Sequence, residues 1–351
     1  MSAAKKTLWN ATPSTGISTL EYSDYYDYEN DSLIFLEDDD LERFGGVFSG
    51  VFYCLIFTFS LAGNSLLFCT LLKFENLQRA PNMFLMNLTV SDLIFTLPLP
   101  FWAVYQLHDW VFGEVACKIF SMLFFIGFYS YMTFLVIMAV DRYTAVVRDV
   151  MSWKVRQRRK LHAVCIGAWI FCITASLPEV LLSETKLGPN GTLCESVEYH
   201  HSLRLFMYYL HIVVFFLVPF AVILYCYVRI WTRIWKCKAK KKQQAIKLIL
   251  GIIIGFFICW APYNIVLFIQ SLYLQHGAEQ ANISLNYAYY VCHCLAYSHC
   301  CLNPFLHIFG SEKFRGQVYL ICDSKHHPQS NQSFTSQNAS IRTSVSRQTY
   351  V

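Results

Sequence analysis

The chain has 351 residues, of which 55% are hydrophobic, 17% aromatic and only 15% charged. So few charges cannot coat an aqueous globule of this length, which argues against a water-soluble enzyme and for a protein that crosses a membrane several times. The formal net charge of +5 says little as a total, because acids crowd the N-terminal end while bases crowd the later connectors and the tail.

In chain order, residues 1–43 read as an acidic, tyrosine-rich arm with no fold of its own and without the apolar core and cleavage site of a signal peptide. Seven apolar segments follow, each near the roughly 20 residues that a helix needs to cross a bilayer. They run over Val47–Leu72, Met83–Tyr105, Ile119–Val147, Ala163–Leu182, Leu205–Ile230, Ala245–Leu274 and Leu285–Phe309. Together with their short connectors they make a receptor domain over 44–310. Residues 311–322 form a short amphipathic membrane-surface helix, with Phe314, Val318 and Ile321 at helical spacing between Lys313 and Arg315. Residues 323–351 are a Ser/Thr-rich tail. The expected fold class is an all-α membrane protein, a seven-helix bundle with a short eighth helix.

Orientation follows from the Lys/Arg bias. The arm carries ten acids against three bases, whereas Arg229–Lys247 carries eight bases and no acid, and Arg142–Lys160 seven bases and one acid. The N-terminus is therefore expected outside and the tail in the cytosol, in a multi-pass protein of the plasma membrane. The glycosylation sequons at Asn10, Asn30, Asn190 and Asn282 fall on the expected outer side. Sequons at Asn87, inside a span, and at Asn331 and Asn338, in the tail, are expected to stay unmodified. Fourteen cysteines lie mostly in apolar runs, where a thiol behaves as a small hydrophobe, so most are expected free.

Polar groups within spans are expensive and therefore mark function. They are Gly63-Asn64 in the first span, Asn87 and Asp92 in the second, Asp141-Arg142-Tyr143 closing the third, and Trp169 in the fourth. Pro219 and Tyr227 follow in the fifth, Cys259-Trp260-Ala261-Pro262-Tyr263 in the sixth, and Asn303-Pro304 in the seventh. One motif per helix in this order resembles the rhodopsin-like family of G-protein-coupled receptors over about Phe44–Cys322. Leu97-Pro98-Leu99-Pro100-Phe101-Trp102-Ala103, Trp110, Lys247-Leu248-Ile249 and Ser298-His299-Cys300-Cys301-Leu302-Asn303-Pro304 narrow the resemblance to chemokine receptors, in flavour closest to the XC and CC types.

The resemblance implies a basic chemokine as ligand, met first by the arm and then by a pocket between the helices. Tyr22, Tyr25, Tyr26 and Tyr28, interleaved with Glu21, Asp24, Asp27 and Glu29, resemble a tyrosine-sulfation site, whose added charge would steer a cationic partner. It implies a disulfide between Cys117 and Cys194 that holds the loop Ser183–Ser202 over the pocket. The second bridge of most chemokine receptors is missing, because no cysteine precedes Cys54. Pocket candidates are Trp102, Tyr105, Phe124, Glu195, Tyr263, Gln270, Tyr289 and His293. Packing between helices is the competing role for each aromatic. Relatives often place Glu at the His293 position, and a neutral imidazole cannot replace that charge. Either Glu195 supplies the acid or the agonist's end differs.

For the switch, the resemblance implies that Pro219 and Pro262 permit bending. Trp260 then relays ligand contact, and Arg142 leaves Asp141 for Tyr227 and an incoming G protein. Asn64, Asp92 and Asn303 would form a polar centre, which in many relatives holds sodium. Gly127 and Tyr131 face it from the third span, where relatives offer small polar side chains, so a phenol filling the ion's space is the alternative. Asn303-Pro304-Phe305-Leu306-His307 ends in histidine where the family has tyrosine, so the balance between states is expected to differ. Cys322 suits palmitoylation. The tail offers phosphorylation sites for receptor kinases and arrestin, and Thr349-Tyr350-Val351 an end for a PDZ domain. Membrane lipid is the other partner. No cofactor, resident metal or nucleic acid is expected, since the adjacent His and Cys residues of the seventh span point about 100° apart and do not converge.

The rivals are a decoy or scavenging chemokine receptor, against which the intact Asp141-Arg142-Tyr143 argues, and a receptor for another peptide on the same fold. A channel or transporter would need a continuous polar path or paired broken helices. An intramembrane enzyme would need a zinc or serine motif that the chain does not carry.

Overall fold

The computed structural model describes residues 24–147, 158–188, 191–196, 201–234, 240–275 and 283–323. Apart from one hairpin the described chain is helical: α1 (Asp24–Phe74), α2 (Ala80–Thr96), α3 (Leu99–Leu107), α4 (Gly113–Val147), α5 (Arg158–Leu182), β1 (Ser183–Gly188), β2 (Gly191–Ser196), α6 (His201–Ile212), α7 (Val218–Ile234), α8 (Lys240–Gln275), α9 (Ile283–Tyr297), α10 (Leu302–Gly310) and α11 (Glu312–Asp323). Chain that stays helical for so long while apolar on most sides is what lipid requires, because every backbone N–H then bonds within its own segment. Residues up to Leu306 make one compact unit and those from His307 a second.

Six helices are long and apolar enough to cross a membrane: Phe44–Phe74, Ala80–Leu107, Gly113–Val147, Lys160–Leu182, Tyr209–Arg233 and Ile249–Tyr273. The seventh segment differs from the uninterrupted helix expected of it. It is split into α9 and α10 by a short 3-10 stretch over Ser298–Cys301. The physical reason lies three residues on. Pro304 has no N–H to give the carbonyl of Cys300, four residues back, and that carbonyl instead accepts the amide of Asn64 from the first helix at 2.7 Å. A Cβ added at Gly63 would come within 2.8 Å of the Pro304 ring, so only glycine lets the first helix approach closely enough for this bond.

Two further departures from regular helix have similar causes. The second span is interrupted between α2 and α3 at Leu97 and Pro98, with Pro100 in the first turn of α3. In the fifth, a π-helical turn over Val213–Leu217 precedes Pro219, accommodating the bond that the proline cannot make. At the N-terminal end the arm was expected to lack structure, yet α1 begins at Asp24. Acids in its first turn suit the positive end of the helix dipole. Tyr25, Tyr26, Tyr28 and Asn30 thus lie on the backbone of a helix. The side chains before Phe44, together with Tyr22 and Asn10, lie outside the described residues.

Lipid-facing and inward surfaces separate cleanly. Ile166, Ile170 and Phe171 of the fourth span and Val213, Val218 and Leu224 of the fifth are exposed. The third helix contributes Tyr131, Phe134, Leu135 and Ala139, all fully buried, and is the axis around which the other helices pack. In the second unit, Ser311 caps α11 by accepting the Phe314 N–H at 3.2 Å. Arg315 donates to the carbonyls of Ile308 and Phe309 at 3.2 Å each, satisfying the end of the preceding helix.

Candidate functional site

The long loop after the fourth span is an antiparallel hairpin, with Thr185 opposite Cys194. Cys194 is disulfide-bonded to Cys117 at the start of the third span, with Cα atoms 5.7 Å apart. Two hydrogen bonds fix the hairpin to the connector before the third span. The Trp110 N–H donates to the Thr192 carbonyl at 2.7 Å, and the Thr192 N–H to Asp109 at 3.2 Å. The Trp110 indole in turn donates to the Gly113 carbonyl at 2.8 Å. Glu195 lies on β2, but its side chain is not described, and Asn190 and Asn282 also fall outside the described residues.

Below the hairpin the expected pocket aromatics fall into two groups. Trp102 and Tyr105 are buried with Trp110, at ring separations of 5.4 and 5.6 Å. These rings pack on one another where α3 meets the connector before the third span. The second group surrounds His293, which is 4% exposed. Its Nδ1 shares a 2.7 Å hydrogen bond with the Tyr53 hydroxyl of the first helix. Rings of Tyr289, Tyr263 and Tyr297 lie 5.4, 5.5 and 4.1 Å away. His293 is therefore a tie between the first and seventh helices as well as a pocket candidate. Tyr53 escaped the sequence reading because one tyrosine in an apolar run carries no visible partner. Phe124 reaches the same cluster through Tyr297 at 5.2 Å, and Gln270 is half-buried on the sixth helix.

One layer further in sits Trp260, 1% exposed, with Phe128 4.2 Å and His299 5.4 Å from its ring. Pro262 lies two residues on inside the same helix, and the Asn264 amide bonds the Trp260 carbonyl at 2.9 Å. Next comes the polar centre. The Asn303 amide donates to Asp92 at 2.6 Å, Asn64 to Ser60 at 3.1 Å, and Ser60 and Thr96 hydroxyls meet at 2.6 Å. The second and third helices are joined by Ser130 and Ser91 at 2.7 Å, and the second and fourth by Trp169 and Asn87 at 2.8 Å. All but the Asn64–Ser60 bond, which lies within the first helix, are polar pairs closed across a helix boundary, the arrangement that makes a polar group tolerable at this depth.

For a cation at this centre the observations divide: the second carboxylate oxygen of Asp92 and the side-chain oxygen of Asn64 have no hydrogen-bond partner among the described residues, as ligand oxygens would need, while the other surroundings are occupied. One carboxylate oxygen of Asp92 already accepts an amide N–H. On the facing helix Gly127 has no side chain, and a Cβ there would press within 2.7 Å of Phe95. Tyr131 is fully buried, its ring 4.9 Å from His299 and 5.3 Å from Phe256, with its hydroxyl within electrostatic reach of Asp92. A phenol stands where a small hydroxyl or amide ligand would be needed.

At the other end of the third span, Arg142 donates to Asp141 through both Nε, at 3.0 Å, and Nη2. The Tyr143 ring lies 5.8 Å from that of Tyr225. Tyr227 is buried on the fifth helix and its hydroxyl has no hydrogen-bond partner among the described residues. Pro219 and Pro304 are buried as well. In the second unit His307 packs 5.9 Å from Phe314, and the side chain of Cys322, on α11, is not described. Among the described residues no group of three His, Cys, Asp or Glu side chains is placed to hold a metal. The sequence reading passed over Glu179, whose signal, an ionisable residue inside the fourth span, was present.

Comparison with known proteins follows the same lines. Residues 63–307 match the family model of the 7 transmembrane receptor (rhodopsin family). The chain is 36% identical to C-C chemokine receptor type 8 of Homo sapiens over 306 residues, covering 85% of each chain. It is 34% identical to Chemokine XC receptor 1 of Homo sapiens over 301 residues, 83% of this chain and 85% of that one. Against CX3C chemokine receptor 1 of Oryctolagus cuniculus the identity is 34% over 286 residues, 79% of this chain and 78% of the other.

Proposed function

The chain belongs to the chemokine receptors of the rhodopsin family of seven-transmembrane receptors, and on that footing we propose that it binds an extracellular basic chemokine and activates heterotrimeric G proteins of the inhibitory class. Calcium signalling and chemotaxis are the downstream outcome. The N-terminus is outside, as the charge bias supports, so the hairpin faces the ligand and the Asp141 end faces the cytosol.

The acidic arm, sulfated at some of Tyr22, Tyr25, Tyr26 and Tyr28, captures the cationic ligand first, and the binding weakens with salt. A segment of ligand then enters under the hairpin that Cys117 and Cys194 hold. Contact is passed to Trp260, which touches ligand-side rings above and Phe128 beside it. Bending at Pro262 moves the cytosolic end of the sixth helix, and a G-protein element replaces Asp141 as the partner of Arg142. Tyr227 receives Arg142 in that state. The observation that carries this reading is the pairing of Arg142 with Asp141 beside a fifth helix whose Tyr227 hydroxyl is buried without a partner among the described residues. A buried polar group left unsatisfied in one arrangement is a reason to adopt another, because satisfying it regains about 1–3 kcal/mol.

Glycosylation at Asn10, Asn30, Asn190 and Asn282, palmitoylation at Cys322, phosphorylation of the tail for arrestin, and PDZ capture of the C-terminus complete the proposal. A decoy receptor is the second reading, favoured by His307 where relatives carry tyrosine. A panel of chemokines measured for binding and nucleotide exchange together, with and without blocked tyrosine sulfation, tests both. Exchange driven by a basic chemokine, lost with Arg142→Ala, is the expected result. Binding without exchange selects the decoy, and no binding at all removes the ligand class.

A further inference from the structure

Among the described residues the hairpin is a two-stranded sheet, so β2 has one edge that no strand covers. The register sets Thr192 opposite Leu187 of β1, yet Thr192 gives both its backbone groups to the other side. Its N–H donates to the Asp109 carboxylate at 3.2 Å, and its carbonyl accepts the Trp110 N–H at 2.7 Å. In an antiparallel pair two opposed residues exchange both bonds in this way, and a bare strand edge invites such an answer. Here the connector before the third span supplies it. Trp110 offers a backbone N–H, and an Asp109 side-chain oxygen stands where a third strand would offer its carbonyl.

Residue 191 must be glycine for the carboxylate to reach that place. Gly191 has φ +127°, and a Cβ on it would come within 2.5 Å of the Asp109 Cβ and 2.8 Å of its Oδ2. On the far side of the connector, the Trp110 ring is 2% exposed and packs 5.4 Å from Trp102 and 5.6 Å from Tyr105. Its indole N–H is spent on the carbonyl of Gly113, where φ +80° turns the chain into the third span. Asp109 and Trp110 therefore join the strand edge to the aromatic wall of the second span. The other attachments lie in the opposite half of the hairpin. The chain enters β1 directly from the fourth span at Ser183, and the disulfide holds Cys194, opposite Thr185. Thr192 lies nearer the turn, next to the Gly188–Gly191 pair, so the bonds to Asp109 and Trp110 take away the freedom that attachments at the base leave.

We propose that Asp109 is a positioning residue for the ligand: closing on Thr192 across Gly191, it sets the turn half of the hairpin against Trp110 and the second-span rings, and so fixes the entrance through which a ligand segment passes. The ligand's identity rests on the chemokine-receptor reading, whereas the latch between Asp109 and Thr192 does not.

Two measurements on the full-length chain in lipid nanodiscs keep them apart. The first uses no ligand and follows hydrogen exchange by mass spectrometry. In Asp109→Ala the peptide that carries Thr192 exchanges about tenfold or more faster than in the unmutated chain, while peptides of the third and seventh spans do not change. Asp109→Asn keeps an oxygen that accepts the Thr192 N–H, and its exchange stays within about threefold of the unmutated chain. Unchanged exchange at Thr192 in Asp109→Ala, or a rise spread equally over the whole chain, overturns the latch. In the second, the most potent basic chemokine of a panel drives nucleotide exchange, and the same chemokine with its terminal segment removed reads retention by the arm. Asp109→Ala lowers the potency of the intact ligand about tenfold and speeds its dissociation, whereas binding of the shortened ligand stays within about threefold. Asp109→Asn restores the values of the unmutated chain. Full potency in Asp109→Ala overturns the positioning role, and so does an equal loss for the shortened ligand, which marks a general defect of the fold. If no chemokine in the panel acts on the unmutated chain, the receptor reading falls and the exchange measurement decides the latch alone.

Discussion

Asp92 is a fully buried carboxylate in the second helix, whereas Glu179, three residues from the end of the fourth, is only partly buried. Around Asp92, amides and hydroxyls from the first, second and seventh helices close on one another at 2.6–3.1 Å. At Glu179 the side-chain bond among the described residues is the long one from the Tyr129 hydroxyl, at 3.5 Å. The difference teaches that a buried polar group holds helices together only when a neighbouring helix answers it. Near Asp92 the answer even repairs backbone, since Asn64 takes over the carbonyl that Pro304 leaves free.

The comparison can be broken most severely at its packed side. Tyr131→Ala removes a fully buried ring beside Asp92, and a loss of about 3–5 kcal/mol is expected, read as a large drop in melting temperature and surface expression. Asn64→Leu takes the nearer donor from the Cys300 carbonyl, which keeps only the Ser60 hydroxyl at 3.4 Å, at about 1–3 kcal/mol, with the same readout. Hydrogen exchange should rise first at the broken part of the seventh helix. Tyr53→Phe deletes the single bond to His293 and keeps the ring, so about 0.5–1.5 kcal/mol is expected, with a smaller change in melting. Glu179→Gln sharpens the contrast from the other side. The amide oxygen can still accept from the Tyr129 hydroxyl, and the side chain is only partly buried, so unliganded stability should change by no more than about 0.5 kcal/mol. A marked fall in its melting temperature would show that Tyr129 and Glu179 form a structural pair instead. The smallest expected effect is that of replacing sodium by N-methylglucamine, which should leave agonist potency unchanged while Tyr131 fills the centre.

Much of this was legible in the chain beforehand. Hydropathy locates six of the spans within a few residues, and the seventh is found although no single helix there is long enough. The cysteines at 117 and 194 were paired on the resemblance, and the structure bonds them. What could not be read was the state of each polar side chain. His293 stands out in the sequence as a pocket histidine, and its tie to Tyr53 lies 240 residues away. The helix that starts at Asp24 was hidden because a run of acids reads as solvated chain whether or not it is helical.

By itself the sequence determined which segments enter the bilayer and which end carries the positive charge, since apolarity and charge are properties of a local stretch. The folded structure alone decided that one oxygen of Asp92 is answered by Asn303, and that Tyr131 occupies its neighbourhood. Whether a buried polar group is satisfied depends on residues from other helices, here 211 positions apart for Asp92 and Asn303, and no local pattern in the chain encodes that meeting.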